Sequence, residues 1–227
     1  MFKGEGIVEE NKNDIKNRWG FIIVKAIAYV ILFSAIFILQ NLRYPDEFRF
    51  ISKHLDRIDF GREFYPEGSL LVIFLFLLVC LIFFKKKLLV YFSIKPLKKV
   101  NTYIWITVFL LLIFMLEHAS TGFKYIFQIN IHPFHFTEYA ILFLMTSIIT
   151  PLEEELVFRS PLLFMFNNKF RYLWLLVSIS WFTIIHNDVI FAISFSIGLS
   201  ILTIKFKNLW VPIVAHLIWN LYALLVI

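Results

Sequence analysis

Three adjacent carboxylates and an arginine lie among Leu, Val and Phe in the run Pro151-Leu-Glu-Glu-Glu-Leu-Val-Phe-Arg159. Ionisable groups at bilayer depth cost roughly 2.5–3.5 kcal/mol each on insertion scales, so such a cluster reads first as function. On a helix Glu155 and Arg159, four apart, share a face and can pair. Glu154 points about 100° away, which leaves its carboxylate for other work. A carboxylate held away from bulk water is a stronger base, as general-base catalysis requires. Further on, His216 and Asn220 stand at i and i+4, so both project from one helix face. Phe182 and His186 repeat that spacing. Three segments thus each present polar groups that can converge on one interior site. Glu153 lies outside these spacings and receives no role.

The elements that must carry these residues read as membrane helices. The 227 residues are 60% hydrophobic, include 28 Phe and have a mean hydropathy of +0.79. Only 17% are charged, against about 25% in soluble domains. The expected fold is all-α, a polytopic bundle of about seven transmembrane helices at 21–40, 69–84, 102–117, 136–166, 172–186, 189–203 and 210–227. Segment 136–166 is too long for one simple span, and Pro151 is expected to bend it or end its first half. The organisation is a polar segment 1–20, N-terminal helices and loops over 21–135, and a catalytic helical core over 136–227. Segment 21–40 exceeds a signal-peptide apolar core of about 7–15 residues and reads as a retained helix. The polar stretch 41–68 reads as an interfacial helix or a structured loop. Lys25 is expected to snorkel from the first helix. The Phe residues are expected to face lipid. Cys80 is the only cysteine, which excludes an internal disulfide.

The net charge of +6 does not point to nucleic acid, because the basic residues occupy short loops between apolar runs. Alternate connections, counted from the N-terminus, hold fourteen Lys and Arg, among them Lys85, Lys86, Lys87, Lys95, Lys98, Lys99, Lys205 and Lys207. The opposite set holds six. That bias orients the N-terminus to the cytoplasm and the C-terminus outside. With a turn at 167–171, Glu154 and His186 both fall roughly 24 Å along their helices, at one depth. His216 is only roughly 9 Å past Trp210, so helix tilt or a 205–209 connection that dips inward is needed to bring it level.

Glu154-Glu155-Leu-Val-Phe-Arg159, Phe182-Thr-Ile-Ile-His186 and His216-Leu-Ile-Trp-Asn220 together resemble the EExxxR, FxxxH and HxxxN motifs of the CPBP intramembrane proteases. That family comprises the type II CAAX prenyl endopeptidases and bacterial Abi-type proteins. The resemblance runs from about Thr137 to Asn220. Ser160 departs from it, standing where the family carries Gly after the arginine. The resemblance implies peptide-bond hydrolysis inside the membrane without a covalent intermediate. Glu154 would be the general base, acting on a water held with His186. His216 and Asn220 would donate to the oxyanion, each donor being worth about 2.7–4 kcal/mol. Glu155 and Arg159 would orient the site from behind it. No cofactor is expected. Zinc on Glu154, His186 and His216 is the alternative, as a two-His, one-carboxylate set, although HExxH is absent. The implied partners are membrane lipids and a hydrophobic or lipidated peptide, in a prokaryotic cell membrane.

Each signal has a plainer reading. The glutamates could form a charged surface loop after Pro151, His186 could be an interfacial histidine, and Asn220 could be a helix–helix hydrogen bond. His132 and His135 read as a surface connection. A non-catalytic immunity or scaffold protein with the same fold is the rival to an endopeptidase. A transporter would need two related halves with broken helices, and no duplication is visible.

Overall fold

The computed structural model describes residues 66–121, 136–164 and 171–226, with shorter stretches between 20 and 51. Two compact units divide the chain, Met1–Ile38 and Leu39–Ile227. In the first, the described residues are helical and expose Ile23, Val24, Ile27, Val30, Ile31 and Ile38. Lys25, His132 and His135 lie outside the described residues, as do most of 41–65.

The second unit is a helical bundle, as the apolar runs require. Its helices are α1 (Pro66–Tyr91), α2 (Val100–Thr121), α3 (Phe136–Phe143), α4 (Thr150–Phe164), α5 (Arg171–Ile184), α6 (Val189–Phe206) and α7 (Trp210–Val226). Among the described residues there is no strand. Among the described residues, two helices are long and apolar enough to cross a membrane, at Val100–Ala119 and Val189–Phe206. Tyr103, Ile104, Val108, Leu111, Leu112 and Met115 line the exposed face of α2. An apolar band of that extent belongs against lipid.

Three expectations need correction. Helix α1 runs past residue 84 to Tyr91, so Lys85, Lys86 and Lys87 lie in the helix and not in a loop. Of the two outcomes expected at Pro151, a bend or an end to the first half, the chain does not end there. The change in register comes just upstream, as a π turn over Leu144–Ile149, and the chain stays helical to Phe164. The Phe residues, finally, are not all lipid-facing. Phe76, Phe109, Phe158, Phe182 and Phe195 are buried.

Helix α4 is the centre of the bundle. All nine residues from 155 to 163 are buried, the pattern of a helix enclosed on every side. Leu156 and Leu163 pack with Ile73 and Phe76 of α1 and with Leu209 and Ile213 at the start of α7. Helix α6 turns small residues inward, with Ala192, Ser196, Ser200 and Thr203 fully buried. Small side chains let membrane helices approach closely.

One end of the unit is strapped shut by hydrogen bonds between two connections. Leu209 N–H donates to Tyr91 O at 2.9 Å, Asn208 Nδ2 to Ser93 O at 2.7 Å, and Trp210 Nε1 to Phe92 O at 2.8 Å. Lys207 takes a left-handed conformation (φ 47°) to make the turn. Asn208 and Leu209 are buried beneath this strap. The exposed Lys95, Lys98, Lys99, Lys205 and Lys207 therefore share one end of the bundle.

Candidate active site

Glu154, Glu155 and Arg159 come from α4, His216 and Asn220 from α7, and His186 from the turn after α5. The core of the site is a chain of ionisable side chains. Arg159 is fully buried, with its Nε 3.3 Å from Glu155 Oε2. The other Glu155 oxygen lies 3.1 Å from His216 Nδ1. A carboxylate accepts here, so Nδ1 is the donor and Nε2 is turned towards Glu154. His216 Nε2 lies 3.8 Å from Glu154 Oε2. The i, i+4 pairing of Glu155 with Arg159 is thus present, and Glu155 also reaches across to α7.

Burying a guanidinium demands more than one partner. Arg159 Nη1 donates to Ser178 Oγ at 3.3 Å, and that hydroxyl donates in turn to Phe158 O at 2.8 Å. The Arg159 carbon centre also lies 4.9 Å from the Phe182 ring centroid, within cation–π range. Ser178 was missed by the motif reading. Its signal was a small polar residue four before Phe182 in an apolar helix, too common to stand out alone.

Phe182 ties the two imidazoles to one surface. His186 stacks on it at 4.2 Å between ring centroids, and His216 meets it edge-on at 6.2 Å. His186 is not on the fifth helix as expected, because α5 ends at Ile184. Its backbone N–H bonds Thr183 O at 3.2 Å, closing a tight final turn. His186 Nδ1 is 2.7 Å from the Phe182 carbonyl. A carbonyl only accepts, so Nδ1 carries the hydrogen and Nε2 is left for another partner. Asp188 then starts α6 as its N-cap, accepting from Phe191 N–H at 2.9 Å.

Behind His216 stands an aromatic wall. Phe195 lies 5.0 Å from the His216 ring, and Phe195 and Phe191 both pack on Trp219. Beyond it, His118 Nε2 and Tyr222 Oη are 2.6 Å apart, a pair that joins α2 to α7. Asn220 donates from Nδ2 to Thr146 O at 2.8 Å, so it faces the π turn. Ser160 is buried where the family carries Gly. Among the described residues, no three His, Cys, Asp or Glu side chains form a group that could hold a metal ion. Glu154, His186 and His216, the alternative zinc set, are not arranged as such a ligand group.

An all-α membrane bundle thus encloses a carboxylate–imidazole centre fed by separate helices. Residues 135–222 match the family model described as Rce1-like, type II CAAX prenyl endopeptidase Rce1-like. The match spans all three motifs and supports, for this segment, a likeness to the CPBP/CAAX protease family. No curated protein and no solved structure matches the chain.

Proposed function

We propose that this chain is an intramembrane endopeptidase of glutamate type, acting on a hydrophobic or lipidated peptide at the membrane. The observation that carries the reading is Glu154 Oε2, a buried carboxylate oxygen with no hydrogen bond from the protein, 3.8 Å from His216 Nε2. A buried acceptor needs a donor, and a hydrolytic water meets that need. Glu154 takes a proton from this water as it attacks the scissile carbonyl. The His186 Nε2 lone pair helps to orient it, because Nδ1 is committed to the Phe182 carbonyl. Negative charge then develops on the carbonyl oxygen, where Asn220 donates its second amide hydrogen and His216 donates from Nε2 as the imidazolium, its Nδ1 hydrogen being committed to Glu155. On collapse of the tetrahedral intermediate the C–N bond breaks, and Glu154 returns its proton to the leaving amine. No covalent enzyme intermediate forms. Glu155 and Arg159 hold the His216 ring in the orientation this requires.

Purified protein in lipid nanodiscs, assayed on fluorogenic hydrophobic and farnesylated peptides, provides the test. Glu154→Gln is expected to lower turnover by about 10²–10⁴-fold, the usual range for loss of a general base. Equal turnover would remove Glu154 from the mechanism. The same assay with a strong chelator is expected to retain activity. Loss on chelation and recovery with zinc would replace the glutamate mechanism with the zinc alternative.

The rival reading keeps the fold and discards the chemistry, as a membrane immunity or scaffold protein. It requires that the cellular phenotype survive alanine at Glu154, His186, His216 and Asn220 together.

A further inference from the structure

The contact between Asn220 and the π turn has its origin in Pro151. In the turn over Leu144–Ile149, Thr150 N–H bonds Met145 O, five residues back. The next N–H in that register would belong to residue 151 and would serve Thr146 O. Residue 151 is proline and has none. The Thr146 carbonyl is therefore left without a backbone donor, an unfavourable state in a membrane interior. The Thr146 hydroxyl is turned back to Leu142 O at 2.8 Å. Asn220 Nδ2 meets the freed carbonyl at 2.8 Å from α7.

We propose that Pro151 is a positioning residue. By withholding its N–H it presents the Thr146 carbonyl as a clamp for the Asn220 amide. One amide hydrogen is spent on the clamp, and the plane of the group is fixed so that the other hydrogen has a set direction. The clamp also joins the helix that carries Glu154 to the helix that carries His216. The catalytic consequence rests on the proteolytic reading above, whereas the clamp itself does not.

The test is a double-substitution cycle on the full-length protein in nanodiscs, read by thermal unfolding and by kinetics. Asn220→Leu leaves the Thr146 carbonyl unpartnered and is expected to lower the melting temperature by about 2–4 °C, the shift per lost interaction of this size. Pro151→Ala returns an N–H to the helix, so in that background Asn220→Leu is expected to cost less than half as much. Pro151→Ser restores the same N–H and serves as the second variant. In kinetics, Pro151→Ala is expected to lower kcat by about tenfold with KM within about twofold, because one oriented donor is loosened while the substrate surface is kept. Additive melting shifts, or an unchanged kcat, would overturn the proposal. Coupled melting shifts in a protein that cuts no peptide would leave the clamp standing and end the proteolytic reading.

Discussion

The residue with most at stake in this fold is Arg159. It is fully buried, carries five N–H donors, and is held by Glu155, Ser178 and the Phe182 face. Removing one member of a buried ion pair leaves an uncompensated charge, at a cost of about 3–5 kcal/mol. Arg159→Met should therefore destabilise the protein by that amount, measured by thermal unfolding in detergent. Arg159→Lys should recover only part of the loss, because an ammonium keeps the charge but not the planar fork that reaches Glu155 and Ser178 together. Full recovery would mean that charge alone matters here. The Glu154–Glu155 contrast also belongs at this scale. Adjacent side chains on a helix diverge by about 100°, so one carboxylate is tied to Arg159 and the other is not. That division was legible in the spacing. The second contact of Glu155, to His216, was not, because it joins residues 61 apart along the chain.

At the scale of elements, two departures from simple helix geometry shape the bundle. One is the π turn before Pro151. The sequence marks Pro151 as a helix disturbance, but the proline acts upstream, on the residues whose carbonyls would accept its missing N–H. The second is the contact between α2 and α6 at Gly198. A Cβ there would clash with the Phe109 ring, which is itself packed on Phe195 at 5.5 Å. Overpacking of this kind costs about 1–3 kcal/mol. Gly198→Ala is expected to destabilise the protein within that range, and Gly198→Ala with Phe109→Leu to recover at least half. No recovery would place the strain somewhere other than Phe109. Because Phe195 also flanks His216 at 5.0 Å, the same substitution should reach activity through Phe109 and Phe195.

For the molecule as a whole, the strap between residues 91–93 and 208–210 gathers the lysines of two distant connections at one end. Helix α5 starts at Arg171 and ends beside His186, and α6 returns from Asp188 to Lys205. Lys95 and Lys207 should therefore lie on one side of the membrane and Asn187 on the other. Single cysteines at those positions, in a Cys80→Ser background, give the measurement in sealed right-side-out vesicles. An impermeant maleimide is expected to label the 187 cysteine in intact vesicles and the 95 and 207 cysteines only after permeabilisation. Labelling of all three from one side would refute the arrangement, and the inverse pattern would reverse the orientation expected from the lysine bias.

Composition and apolar runs were enough to determine the helical membrane class, and three short motifs marked the polar residues proposed for the site. These features are local, set by side-chain transfer energies and by the 3.6-residue repeat. Helix ends were less legible, since Lys85 to Lys87 stay helical and His186 falls beyond the end of α5. Only the tertiary structure decided which atoms pair: His216 between two carboxylates, Arg159 on Ser178, and Asn220 on the carbonyl left open by Pro151. Such contacts depend on how α4, α5 and α7 pack together, and no spacing within a single helix encodes the register between helices.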